Sequence, residues 1–286
     1  MLRAYYQLAK PGIIRGNILS ATAGFLLAAQ GHINFATLLA TLVGLALIIG
    51  AACVVNNCYD RDIDTHMART NKRSLVTGEI SLASALWYAI ILLILGIAIL
   101  ATWTNIVTLL VGLAGFIAYV VIYTPAKRLT VHSTLLGSIS GAMPIVGGYT
   151  AVTGSLDMAA FLLFAIMTVW QMPHFYGIAL YRLKDYTTAK LPVLPVVKGA
   201  AHTRLQIIGY IMLFILACAG LTIFGYAGYS YLIIMLVLGA AWLRLALRPI
   251  ASIPDGSQKW GKQVFLFSLI SLTTFCILVS VTTYLP

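Results

Sequence analysis

Long apolar runs, interrupted at short intervals by polar, glycine or proline positions, fill the chain from end to end. A helix crosses a bilayer core with about 20 predominantly apolar residues. Nine stretches meet that length: 12 to 30, 35 to 57, 82 to 102, 105 to 124, 134 to 152, 158 to 180, 206 to 225, 229 to 247 and 262 to 284. The pattern predicts an all-α membrane protein, one integral-membrane domain over 1–286, with nine transmembrane helices bundled around a central cavity. The first stretch follows Lys10-Pro11-Gly12, contains Arg15 and Asn17 and lacks an early small-residue cleavage site. It is therefore expected to persist as a helix rather than be cleaved as a signal peptide.

Composition excludes a soluble globular domain. Of 286 residues, 61% are hydrophobic and 9% charged, with a mean hydropathy of +0.97, whereas soluble chains carry about 25% charged residues. Too few polar groups exist to wet a compact surface, so lipid is the expected surroundings. The balance of 18 Lys and Arg against 7 Asp and Glu gives +11, which in a soluble chain would point to nucleic acid. Placement points elsewhere. All 18 basic residues fall before the first stretch or within its start, or in the connections after stretches two, four, six and eight and the stretch ends that border them, and none falls in the opposite loops. By the positive-inside rule the basic side with the N-terminus is cytoplasmic, the C-terminus lies opposite, and no nucleic-acid partner is expected. Cys53, Cys58, Cys218 and Cys276 sit in apolar runs without metal or haem-attachment spacing and read as small core residues.

Six of the seven acids share the basic side. Three lie in Asn57-Cys58-Tyr59-Asp60-Arg61-Asp62-Ile63-Asp64, at the end of the second stretch. At about 100° per residue, Asn57, Asp60 and Asp64 fall within an arc of about 60°, while Asp62 points away. Like charges so close repel. Either a cation sits between them, Mg²⁺ bridging to a phosphate being the best match for a few hard oxygen ligands, or the acids form a solvated helix end paired with nearby Arg. A further acid, Asp185, follows the sixth stretch. Residues 137 to 157 echo 16 to 34, with Gly147, Ala151 and Gly154 displaced by 123 from Gly24, Ala28 and Gly31. The echo implies two four-helix halves plus a ninth helix, with the ends of helices two and six facing each other. Around the acids stand Arg69, Lys72, Arg73, Lys127, Arg128, Arg182, Lys184 and Lys190. Carboxylates for a metal beside cations for phosphate oxygens describe a metal-diphosphate site, with Arg69 and Arg73, four apart, as the favoured pair. At the mouth of an apolar bundle, such a site suits an isoprenyl diphosphate. For any one basic side chain, a topology signal or a lipid headgroup contact is the competing role.

Asn57-x-x-Asp60-x-x-x-Asp64, with a second acidic segment after helix six, resembles the intramembrane prenyltransferases of ubiquinone, menaquinone and haem O synthesis. Within them, three stretches are similar to the protohaem IX farnesyltransferase (haem O synthase) branch: NNCYDRDIDTHMARTNKRSLVTGEIS (56 to 81), YTPAKRLTVHSTLLGSISGAMP (123 to 144) and WQMPHFYGIALYRLKDYTTAKLPVLPVVKG (170 to 199). With AKPGIIRGN (9 to 17), the resemblance covers essentially the whole chain. One departure stands out. Quinone-type members carry a second acid pair spaced by four, whereas Asp185 is followed at that spacing by Ala189, which leaves the number of metal ions open; Lys184 is expected to contact the diphosphate directly instead.

The resemblance implies transfer of the farnesyl group of farnesyl diphosphate to a vinyl group of haem B, with water addition, giving haem O and diphosphate. It implies Mg²⁺ as cofactor on Asn57, Asp60, Asp64 and Asp185, which are also the catalytic set, with Arg69, Arg73, Lys127, Arg128 and Lys184 on the diphosphate. Haem B is a substrate, and a downstream haem A synthase or terminal-oxidase assembly is the implied partner. Of the five His (His32, His66, His132, His174 and His202), only His174 combines depth in a helix with a polar neighbour facing the same way, Gln171. His174, Gln171 and Trp170 are the haem-binding candidates, with helix-helix hydrogen bonding as the other reading of His174. Pro173 is expected to kink helix six and free a carbonyl. Rival readings are a prenyltransferase acting on 4-hydroxybenzoate or a quinone precursor and, in another class, a haem-binding cytochrome or a transporter. With ten residues before Pro11 and nothing like an Arg/Ser-rich transit peptide, the bacterial inner membrane is the expected location.

Overall fold

The computed structural model describes residues 1–67, 70–249 and 256–282. In chain order its elements are α1 (Leu2–Leu8), α2 (Pro11–Ala29), α3 (Phe35–Tyr59), α4 (Arg61–Asp64), α5 (Ser74–Thr77), α6 (Leu82–Trp103), α7 (Ile106–Ile117), a π-helical segment (Ala118–Tyr123), α8 (Thr124–Leu129), α9 (Ser133–Thr153), α10 (Met158–Tyr181), α11 (Leu183–Thr188), α12 (Leu194–Ile223), α13 (Tyr229–Leu247) and α14 (Gly256–Val281). Among the described residues nine helical spans are long and apolar enough to cross a membrane, the run Ile106–Leu129 counting as one, and there is no strand. The protein is an integral membrane protein. Helices suit that solvent because each one closes its own backbone hydrogen bonds.

Two spans start earlier than the hydrophobic pattern predicts. α12 begins at Leu194 rather than 206 because a first turn through Lys198 is helical but too polar to register, and the helix then breaks at Gly199 (φ +78°) before continuing. α14 begins at Gly256 rather than 262, again through a polar turn. α10 continues as one helix through Pro173, and the missing amide leaves the Val169 carbonyl without its helical partner, as expected.

The 123-residue echo extends to the caps. Asn34 caps α3 by accepting from Ala36 N and Thr37 N, and 123 positions later Asp157 caps α10 by accepting from Ala160 N. Each such cap is worth about 1 kcal/mol. Gly31 (φ +86°) and Gly154 (φ +64°) stand at the ends of the preceding helices in the left-handed conformation. The halves meet where α2 crosses α9: Gly24 faces the Ile145 carbonyl and Gly148 faces the Ala21 carbonyl, so a side chain at either glycine would collide with backbone. In lipid, where apolar burial does little to join helices, such close backbone contact supplies the attraction.

Candidate active site

The acidic end of α3 is built by a break in the helix. α3 stops at Tyr59, Asp60 caps it at φ −85° and ψ 0°, and Arg61–Asp64 form a separate turn. The three expected residues therefore do not lie along one continuous helical face. They are nonetheless gathered inward, with Asn57, Asp60 and Asp64 each 5% exposed or less, while Asp62 faces outward as expected.

Buried acids demand partners, and these come from outside α3: Arg73, nine residues past Asp64, and Lys127, 67 positions from Asp60. Arg73 Nη1 donates to Asp64 Oδ2 at 2.6 Å and to Asn57 Oδ1 at 3.0 Å, so one guanidinium nitrogen bridges the amide and the carboxylate. Asn57 Nδ2 donates to the Leu8 carbonyl at 2.8 Å, which fixes the side chain on the end of α1. Asp60 Oδ2 takes Lys127 from α8, and its Oδ1 is buried with no hydrogen-bond partner among the described residues. Arg128 reaches Asp60 only at 3.9 Å; it forks instead onto Asp62 at 2.7 and 2.8 Å and donates to the Tyr59 carbonyl. That fork holds the Asp62 carboxyl down at about 2.

A π-helical segment, rare and frequent at functional sites, positions the second wall. Pro125 cannot donate a helical hydrogen bond, and Thr124 Oγ1 closes on the Tyr119 carbonyl at 2.8 Å while accepting from Asn56 Nδ2 at 3.1 Å. The turn sets Tyr119 and Tyr123 side by side, ring centroids 5.2 Å apart. Lys10, in a left-handed conformation (φ +54°) just before α2, donates to Asn56 Oδ1 at 2.5 Å. Burial pulls its ammonium down to about 8, against the opposing influence of Cys53, with Arg73 and Lys127 adding to the fall. Lys10, Asn56, Thr124, Tyr119 and Tyr123 were not among the expected site residues. The stretches 9 to 17, 56 to 81 and 123 to 144 that carry the family resemblance contain Lys10, Asn56, Tyr123 and Thr124, but nothing in them marked these residues as part of the site.

The second tip is close by. Ile63 and Met67, flanking Asp64, pack in one apolar cluster with Tyr186, Ala189, Leu191 and Val193 around Asp185. The tips of α3 and α10 thus meet at one end of the bundle. Asp185 is half-buried and Lys184 exposed, and neither side chain makes a hydrogen bond or ion pair among the described residues. Arg69 lies outside the described residues. Among the described residues no three His, Cys, Asp or Glu side chains converge on a common point, because the cations separate the acids.

Deeper in α10 the structure splits the expected haem trio. Gln171 Nε2 donates to the Ser138 and Met167 carbonyls, toward α9. Trp170 and His174 turn the other way, to Ser268 of α14 at 2.9 and 2.7 Å. Side chains three apart differ by about 60° around a helix, and the ridge between α9 and α14 falls inside that angle. His174 and Gln171 do not share a face. The other four His are exposed, three at or beyond helix ends and His202 three residues past the Gly199 break of α12, so no His pair faces across the bundle as a cytochrome would need.

An apolar helical bundle with acids, amides and cations gathered at one end is the architecture of an intramembrane transferase for substrates with a charged head and a hydrocarbon tail. The chain belongs to the UbiA prenyltransferase family, whose model matches residues 17–270. It is 46% identical over 280 residues to "Protoheme IX farnesyltransferase 2" of Chromobacterium violaceum, covering 98% of this chain and 92% of that one. It is 45% identical over 281 residues to "Protoheme IX farnesyltransferase" of Pseudomonas savastanoi pv. phaseolicola, covering 98% and 95%. Its fold is similar to that of a digeranylgeranylglyceryl phosphate synthase (TM-score 0.81, 17% identity, 99% of this chain and 98% of that one). It is also similar to that of a UbiA homolog from Archaeoglobus fulgidus bound to GPP and Mg²⁺ (TM-score 0.71, 20% identity, 97% and 99%).

Proposed function

We propose that this protein transfers the farnesyl group of farnesyl diphosphate to a vinyl group of haem B, giving haem O and diphosphate. The observation that carries the reading is the identity of about 45%, over almost the whole chain, with farnesyltransferases of protohaem IX. The site accords with it. The difficult step is separating an allylic cation from a diphosphate anion, and fixed positive charge around the leaving group lowers that barrier. Arg73, Lys127 and Lys10 supply such charge around the α3 tip with Arg128 at its rim, and Lys184 stands at the α10 tip.

The donor set fits Mg²⁺ in kind. Asn57, Asp60, Asp64 and Asp185 offer hard oxygens, Asp60 Oδ1 is buried and unpartnered, and Arg73 already holds a positive charge between Asn57 and Asp64. A bound Mg²⁺ would neutralise charge building on the departing diphosphate. The C1–O bond of the farnesyl group breaks, the diphosphate leaves with the bonding pair beside Arg73 and Lys127, and Tyr119 and Tyr123 would present aromatic faces to the cation. The vinyl π-bond attacks, positive charge moves to the carbon beside the macrocycle, and water adds there and loses a proton. Trp170 and His174 are the haem contacts in this reading; Gln171 is assigned to helix packing instead. With all basic residues on one side, the site faces the cytoplasm of a bacterial inner membrane, and haem O passes on to a haem A synthase or a terminal-oxidase assembly.

Purified protein given radiolabelled farnesyl diphosphate with haem B or 4-hydroxybenzoate tests the acceptor. Label entering haem alone is the expected result; label entering only the benzoate would refute the assignment.

A further inference from the structure

His174 and Trp170 stack on one another (centroids 4.9 Å apart, 29° between planes), and both reach the same residue of α14. The Trp170 Nε1–H donates to the Ser268 carbonyl, and His174 Nδ1 meets the Ser268 hydroxyl at 2.7 Å. A serine hydroxyl has one hydrogen to give, and the Phe265 carbonyl at 2.5 Å and Nδ1 of His174 at 2.7 Å are both in reach of it. In the arrangement that places it on the shorter bond, to the carbonyl, Ser268 accepts from Nδ1–H and the lone pair of the neutral ring falls on Nε2. Nε2 has no hydrogen-bond partner among the described residues, and the ring keeps part of its surface accessible. Ser268 is fully buried, and Phe265 packs against the imidazole at 5.1 Å, so the ring cannot rotate freely away from this pairing.

We infer that Ser268 is a positioning residue which locks His174 in the Nδ1–H form, so that Nε2 is offered as the axial ligand to the iron of the haem acceptor. The inference rests on the haem reading above and adds to it the ligating atom and the residue that fixes it. An imidazole ligating iron is commonly oriented by a hydrogen bond at its other nitrogen; here a hydroxyl whose own hydrogen is committed to a backbone carbonyl performs that task. The depth is suitable. His174 lies seven residues before the end of α10 at Tyr181, about 10 Å below the acidic tips at 1.5 Å per residue. That leaves the macrocycle beneath the diphosphate site, where an electrophile released from it must travel.

The test is titration of ferric haem B into the full-length detergent-solubilised protein, read by absorption and electron paramagnetic resonance, with haem O formation measured on the same preparations. Wild type is expected to give a histidine-ligated spectrum. His174→Ala loses it and regains it on adding imidazole. Ser268→Ala weakens haem binding about tenfold or more, and Ser268→Thr, which keeps the hydroxyl, restores it. An unchanged spectrum in His174→Ala, or wild-type haem affinity in Ser268→Ala, would overturn the inference even if haem O is made. Absence of haem O from wild type would instead defeat the reading beneath it. Farnesyl diphosphate binding at wild-type strength shows that a variant is folded.

Discussion

At the tip of α3, three inward side chains are buried and each is held by a cation from another segment; at the tip of α10, Asp185 is half-buried and has no charged partner among the described residues. The 123-residue displacement that relates Asn34 to Asp157 explains the difference. It maps Asp185 onto Asp62, the outward acid, whereas Asn57, Asp60 and Asp64 map onto Leu180, Leu183 and Thr187. The second half has kept the architecture and lost the inward acids. Buried charge is costly unless paired, so a bundle that concentrates it in one half needs one set of compensating cations. Arg73, Lys127 and Lys10 are that set. The α3 tip should therefore carry the leaving-group chemistry and the α10 tip should assist from the rim.

The largest expected effect separates the two tips directly. Asp64→Asn keeps the shape and removes the charge, and should lower kcat/KM for haem O formation by about 10²–10³-fold. Asp185→Asn should cost about tenfold, corresponding to about 1.4 kcal/mol; equal losses in steady-state assays would erase the asymmetry. Next comes stability. Lys127→Ala strands the Asp60 carboxylate and should cost about 3–5 kcal/mol, whereas Lys127→Met combined with Asp60→Asn should recover most of it. Thermal unfolding in detergent reads both, and a double variant no more stable than the single one would show that Asp60 is not compensated by Lys127.

Smaller effects probe the rim. Lys184→Ala should raise the KM for farnesyl diphosphate a few-fold and leave kcat alone, and unchanged kinetics would remove Lys184 from the site. The exposed pair of Arg128 and Asp62 should contribute about 0–1 kcal/mol. Because Arg128 holds Asp62 at about 2, below the ordinary carboxylate value of about 3.9, that increment is present above pH 4 and is lost as pH falls through 2. Asp62→Asn should abolish this pH-dependent part of the melting temperature, and an unaltered acid limb would exclude the pair as its source.

The spans, the one-sided charge and the echo between halves were legible because hydropathy, charge and cap spacing are local properties of the chain. Asn57, Asp60 and Asp64 were legible for the same reason, lying within eight residues. What escaped is long-range. Lys10 reaches Asn56 from 46 positions away, Lys127 reaches Asp60 from 67, and Ser268 meets His174 across 94. Helical periodicity put Gln171 and His174 on one side, and only the positions of α9 and α14 reveal that a 60° difference sends them to different neighbours. The π-helical turn was hidden too, since Pro125 signals a break but not that Thr124 would close it on Tyr119.

Mass spectrometry of haems extracted from membranes expressing wild type or Asp64→Ala at equal protein level tests the central claim most directly. The account predicts haem O from wild type and only haem B from the variant. Haem O from both, or from neither, would contradict it.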